Sequence, residues 1–283
     1  MGITFLRRKA GAVFAAVLTL CMILPCLALL DTAEDWFAEI YDEYINSHVE
    51  ELLPTPTAVP ARTAGPSSNS SKSLVDARVM NRVLATGEAL SDKGFEFVVS
   101  AQSGYAVLIG YTGDAKRVSI PSSVMGYTVA YIGDGALGNQ YGITALTLPE
   151  SIVQLGNGAF LACVNLEEVT LPASITDVGA VLFLYCSALK SVTLPPALSV
   201  IRQGMFEQCT GLETLVLPDG VTMIEELAFH NCVSLREVSV PPTVTAIADD
   251  AFSSYPQVTL LVKEGSYAQA YALQMGIPSA VIR

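Results

Sequence analysis

The sequence predicts an α+β repeat solenoid, a stack of coils sharing one parallel β-sheet, preceded by an N-terminal hydrophobic helix and an acidic amphipathic helix. Three observations predict it. Large apolar residues recur every 23 residues at Leu137, Phe160, Phe183, Phe206, Phe229 and Phe252. Prolines keep the same interval at Pro149, Pro172, Pro195, Pro218 and Pro241, as do Leu155, Val178, Ile201, Ile224 and Ile247. Four of the six cysteines, Cys163, Cys186, Cys209 and Cys232, also follow it, which marks repeat members rather than a disulfide framework. A unit this short cannot bury its own apolar face, so successive units must stack around a shared core.

Arg7, Arg8 and Lys9 precede the uncharged run Ala10–Leu30, and Asp31, Glu34 and Asp35 follow it. Basic before and acidic after places the N-terminus inside. A helix over Ala10–Leu30 rising ~1.5 Å per residue is long enough to span a membrane, which makes residues 1–30 an uncleaved signal anchor. Pro25, with Cys26 and Ala28 at the positions a peptidase needs, equally fits a cleaved signal peptide. Leu20 and Pro25 precede Cys21 and Cys26 where lipidation requires a small residue, so no lipid anchor is expected. On either reading the rest of the chain is extracytoplasmic, membrane-anchored or secreted.

Residues 31–53 carry eight acidic side chains and no Lys or Arg, with Trp36, Ile40, Tyr44 and Leu52 on an apolar helical stripe. Such a helix either pairs with a second copy or partner helix or docks on its own chain, and its charge opposes an anionic lipid surface. Residues 54–73 are a Pro/Ser/Thr-rich linker with almost nothing to bury. Asn69-Ser70-Ser71 there matches a glycosylation acceptor, a weak pattern in so Ser-rich a segment. A helix is expected over 74–91, then a strand or hairpin over Phe95–Ile109, so that 74–117 forms the N-terminal cap of the array. The solenoid runs over 118–262 and a C-terminal cap over 263–283.

Each unit holds a strand-like core such as Leu166-x-x-Val169-x-Leu171-Pro172, repeated at Leu189, Leu212 and Leu235. The first coil is longer, 28 residues from Pro121 to Pro149, and its five extra residues fall around Met125-Gly126-Tyr127. Gly158-Ala159-Phe160-Leu161-Ala162-Cys163 with Asn165-Leu166, and Leu227-Ala228-Phe229-His230-Asn231-Cys232, resemble the BspA-type leucine-rich repeats. Gly126–Gly133 resembles that family's entry, and Gly265-Ser266-Tyr267-Ala268 its terminal cap. The resemblance covers roughly residues 95–283 and implies a right-handed leucine-rich-repeat stack. It also implies a surface or secreted protein of a host-associated microbe, some members being adhesins, without implying one ligand. Gln140 and Tyr255 replace cysteine in the end coils, and the asparagine of ordinary leucine-rich repeats is missing after the strand.

A formal charge of −12 and a pI near 4.5 oppose phosphate binding, so nucleic acid is not an expected partner. The cysteine column cannot converge as zinc ligands do, and its parallel side chains do not point at one another as a disulfide requires, so free buried thiols are expected and no metal. His48 and His230 are the two histidines, no hydrolase or nucleotide-binding motif occurs, and neighbouring carboxylates on a strand point to opposite faces. No catalytic residue and no cofactor is assigned.

The open sheet face offers more. One column there runs Thr144, Glu167, Lys190, Glu213, Arg236, and beside it stand Thr170, Thr193, Val216 and Ser239. Glu167, Thr170, Lys190, Thr193, Glu213, Arg236 and Ser239 form the candidate interaction face. Alternating charge either serves only to keep like charges apart, each exposed pair being worth about 0–1 kcal/mol, or provides a polar strip that receives a protein or glycan. The Phe and Cys columns are structural. The leading expectation is a non-enzymatic binding module acting in cell-surface adhesion or ligand recognition. The alternative is an envelope or assembly protein that oligomerises through residues 31–53.

Overall fold

The computed structural model describes residues 80, 82–253 and 258–282. The signal or anchor segment, the acidic helix, the linker and Tyr255 lie outside the described residues.

The helix expected over 74–91 stops earlier. Residues 82–86 are helical and end at Gly87, where a Cβ would lie 2.5 Å from both the Val83 carbonyl oxygen and Val98 Cγ1. Glu88–Asp92 is instead strand β1, paired antiparallel with β2 (Phe95–Ser100). Lys93 and Gly94 make the turn with φ of 49° and 83°, the conformation that matches strand twist in a two-residue hairpin loop. Phe95, Phe97 and Val99 face the core from β2. Strand β3 (Tyr105–Tyr111) pairs antiparallel with β2 and parallel with β6 (Tyr127–Ile132), so the hairpin closes the first end of the stack. After β4 (Arg117–Ser119), the five extra residues form a tight hairpin of β5 (Ser123–Val124) and β6, turning at Met125 and Gly126 with φ of 48° and 87°.

Each later coil has three sides. The first carries β7 (Ala145–Thr147), β9 (Glu168–Thr170), β11 (Ser191–Thr193), β13 (Thr214–Val216), β15 (Glu237–Ser239) and β17 (Thr259–Val262). Prolines follow the inner apolar residue and start the corner: the amides of Ile152, Ile175, Leu198, Val221 and Val244 donate to Pro149, Pro172, Pro195, Pro218 and Pro241 carbonyls. The second side carries β8 (Gln154–Leu155), β10 (Asp177–Val178), β12 (Val200–Ile201), β14 (Met223–Ile224) and β16 (Ala246–Ile247). The expectation of one parallel sheet is corrected here, because parallel strands stand on two sides of every coil. The second residue of each short strand, from Leu155 to Ile247, is buried, and stacking these positions brings the backbones into hydrogen-bonding register.

The third side stays in turns rather than helix. Two positions per coil hold positive φ: Gly135, Gly158, Val181, Gly204 and Leu227 at 51–61°, and Asn139, Ala162, Tyr185, Gln208 and Asn231 at 53–62°. Neither conformation continues a right-handed helix. The C-terminal end is closed by α1 (Tyr267–Met275), capped by the Ser266 hydroxyl and by Gly276, and by β18 (Ser279–Val281) beside β17.

The stack contains a seam. Strand pairing runs from β4 to β11 on the first side and from β6 to β10 on the second, and resumes from β13 and β12. Among the described residues no ladder joins β11 to β13 or β10 to β12. The two gaps fall on opposite faces of one coil, that of β11 and β12, and one column bears on the gap between β10 and β12. Gly156 and Gly179 donate to Ile132 and Leu155 carbonyls at 2.8 and 2.9 Å, an approach so close that a Cβ on Gly179 would lie 2.4–2.6 Å from the backbone of Gly156 and Asn157. The next residue in that column is Arg202, and among the described residues the bond is missing there. It returns at Glu225 and Ala248, which donate to the Ile201 and Ile224 carbonyls at 2.9 Å although both carry a Cβ. The third side crosses the seam intact, with Val181, Phe183 and Tyr185 amides bonded to Gln203, Met205 and Glu207 carbonyls at 2.8–3.0 Å. Arg202 itself bridges the seam to Asp177 at 3.0 Å and reaches Glu225 at 3.5 Å.

Candidate binding face

What holds the face rigid is the pair of ladders behind it. Phe160, Phe183, Phe206, Phe229 and Phe252 stack ring on ring, with centroids 4.8–5.7 Å apart and planes within 8–22°. Tyr271 of α1 covers the last ring at 6.3 Å, and its hydroxyl donates to the Ala248 carbonyl. Beside them each thiol does one job. Cys163, Cys186, Cys209 and Cys232 Sγ donate to the carbonyls of Leu137, Phe160, Phe183 and Phe206 in the preceding coil at 3.0–3.1 Å. The Phe160, Phe183 and Phe206 carbonyls also accept the amide of the cysteine in their own coil, so the thiol of the next coil fills a second lone pair in an apolar core. Burial pushes the Cys163 and Cys232 thiols up to about 12, so they stay protonated donors. All four are free. At the cysteine position of the first coil, Gln140 Nε2 donates to the Tyr111 carbonyl at 2.9 Å. The longer side chain keeps the donor where the preceding element is the hairpin rather than a coil.

On the first side Val169, Leu215 and Val238 point inward, whereas Glu167, Thr170, Lys190, Thr193, Glu213 and Arg236 are exposed and Ser239 is half-buried. Glu168, Ser191, Thr214 and Glu237 are also exposed on this side, a row the sequence columns did not single out. In a parallel stack the alternating column sets each Glu beside a cation, and one such pair forms. Lys190 Nζ meets Glu167 Oε2 at 2.9 Å; no ion pair forms between Glu213 and Arg236. An exposed pair gains little in water, so nothing fixes the long Arg236 side chain against its neighbour. Lys190 holds the Glu167 carboxyl below its usual range by hydrogen bond and charge, and is itself raised by Glu167 with help from Glu213 and Glu168. Between Thr193 and Ser239 stands Val216, 71% exposed.

Residues 130–259 match six copies of the BspA type leucine-rich repeat region. They are BspA-type leucine-rich repeats. A leucine-rich cell surface protein of Faecalibacterium prausnitzii is similar at 30% identity and a TM-score of 0.51, over 62% of this chain and 55% of that one. The chain therefore spans little more than half the length of that protein. A leucine-rich repeat protein of Treponema pallidum shares the fold at 20% identity and a TM-score of 0.53, over 68% of this chain and 98% of that one. No curated protein matches in sequence. Among the described residues, no helix is long and apolar enough to cross a membrane.

The third side of the BspA-type array holds a polar cluster that the columns did not reveal. His230 is half-buried, and its Nδ1 lies 2.8 Å from Ser253 Oγ. The void against Ser253, lined by Phe229, Cys232, Leu235, Phe252 and Val258, has a volume of about 10 Å³. That is room for about one water. One coil earlier, Glu207 folds back over Gly204, and burial followed by the charge of Asp250 pushes its carboxyl up to about 7. The folded protein thus holds this proton more tightly than the unfolded chain. Stability from Glu207 is complete below the ordinary carboxyl range near 4.5 and is lost as pH rises through about 7. Allowing for partial solvation, the loss is about 2 kcal/mol. Glu207→Gln is expected to flatten the fall in melting temperature between pH 5 and 8 (, roughly that window) and to be the more stable form at the alkaline end. An unchanged slope in the variant rules this account out.

Proposed function

We propose that the array is a non-enzymatic protein-binding module, displayed outside the cytoplasm, that receives its ligand on the first side. The observation that carries this reading is the make-up of that side. A rigid row of short hydroxyl side chains, Thr170, Thr193 and Ser239, surrounds exposed Val216, with the Arg236 guanidinium unpaired beside it. An apolar residue ringed by polar groups is how an interface anchor is built, and an unengaged arginine matches the carboxylates of a protein partner. The basic-then-apolar N-terminus supports an extracytoplasmic setting, anchored or secreted. The similar Faecalibacterium protein, described as a cell surface protein, supports the same setting.

The test is a panel of immobilised extracellular-matrix proteins and glycans. A protein on the panel is expected to bind, and Lys190→Glu with Arg236→Glu, or Val216→Glu alone, should weaken it at least about tenfold, the range for loss of a central anchor. Glu226→Ala on the third side serves as control and should leave binding unchanged. Asp177 is unsuitable there, because it closes the seam with Arg202. Loss with Glu226→Ala and retention with the double reversal would move the site to the third side. Binding to glycans alone would overturn the protein reading.

A further inference from the structure

We propose that the C-terminal end of the array is a self-association surface, where β18 pairs antiparallel with β18 of a second copy of this chain. Among the described residues β18 is the edge strand of its sheet, with β17 on one side only. Pro278 O and Ile282 N bond to Leu260 and Val262 of β17. Backbone groups alternate along a strand, so the N–H and C=O of Ser279 and Val281 face outward. All three residues of β18 are exposed, as are Leu273 (84%), Met275, Val281 and Ile282 around them.

Natural edge strands are guarded by lysine, proline or a bulge, and β18 carries none of these. Charge selects the occupant. From Gly265 to Ile282 the chain has no Asp, Glu, Lys or Arg, and Arg283 is the one charge that follows in the given sequence, in a protein of net charge −12. Two copies repel over the rest of their acidic surface and approach most easily through this neutral end. A neutral apolar edge offers nothing to a charged partner, whereas it is complementary to itself under a two-fold axis. That axis passes beside Ala280. It sets Ser279 against Val281 of the second copy as hydrogen-bonded pairs and leaves the two Ala280 residues facing each other, with Cα atoms ~4.5 Å apart. This distance lies within the span a disulfide bridges.

The full chain in a non-ionic detergent serves for the test, with mild copper-catalysed oxidation and non-reducing electrophoresis. Ala280→Cys is expected to give a covalent dimer as the main species, reversed by reductant. The parent chain, which retains Cys21 and Cys26, and Val233→Cys, an exposed site elsewhere, should give several-fold less. In sedimentation, Val281→Lys should shift the parent from dimer to monomer, because the axis brings the two ammonium groups close. Cross-linking of Ala280→Cys no greater than that of Val233→Cys overturns the proposal. So does a monomeric parent chain, which would leave the edge to an extended segment of another protein. A dimer mass that survives Val281→Lys places association elsewhere, residues 31–53 included, and overturns it too.

Discussion

Phe206→Ala is expected to destabilise the array by about 3–5 kcal/mol, the range for removing a buried aromatic ring. Phe206 is fully buried between Phe183 and Phe229, at 5.7 and 5.5 Å, and its neighbours are themselves stacked, so little can collapse into the gap. Phe252 sits at the end of the ladder, 8% exposed, with a small void already beside it and, among the described residues, the Tyr271 ring beyond. Phe252→Ala should cost less because the final coil and α1 can settle inward. Urea unfolding followed by circular dichroism reads both. Effects below about 1 kcal/mol at the two sites would show that the stacked rings do not carry the core.

The second large effect comes from a residue that contributes no side chain. Gly179 has a φ available to any residue, so its requirement is space alone. Gly179→Ala places a methyl group against the backbone of Gly156 and Asn157 at 2.4–2.6 Å, and backbone cannot swing aside as a long side chain does. The expected cost is about 3 kcal/mol, the upper end for overpacking. Ala248→Gly in the same column, beyond the seam, should cost no more than about 1 kcal/mol, the usual propensity and entropy penalty of glycine. Equal effects at 179 and 248 would mean that the two halves pack alike and that the account of the seam is wrong.

These two sites differ in how far the sequence discloses them. The phenylalanine ladder is legible because one large apolar residue per coil, repeated at a fixed interval, has only the shared interior to occupy. Prolines reveal the corners for a similar reason, since each ends a strand and starts a turn. The second-side strands are not legible, because two residues such as Asp177 and Val178 are too few to display alternation. Their pairing follows from stacking rather than from local preference. Strand β1 is hidden for another reason. Glu88–Asp92 follows a helical turn and reads as its continuation unless Lys93-Gly94 is weighed as a hairpin loop. The cysteine column is visible as a column, but its hydrogen bond reaches a carbonyl 26 residues back, and no local pattern encodes that. On the candidate face, the sequence places the exposed columns, yet charge alternation alone does not tell which ions meet. Lys190 and Glu167 do, and Arg236 does not.

The coil that carries β11 and β12 is a staggered joint in the array. In a uniform stack, bending is shared thinly among all coils. This coil pairs through β11 with the coil before it and through β12 with the coil after it, while the third side is bonded throughout. Each break is therefore backed by an intact ladder on the other strand side of the same coil. Thr170 and Thr193 stand before the first-side break between β11 and β13, and Val216 and Arg236 after it. A ligand laid along the first side would span that break, while the Arg202–Asp177 pair closes the other one, between β10 and β12.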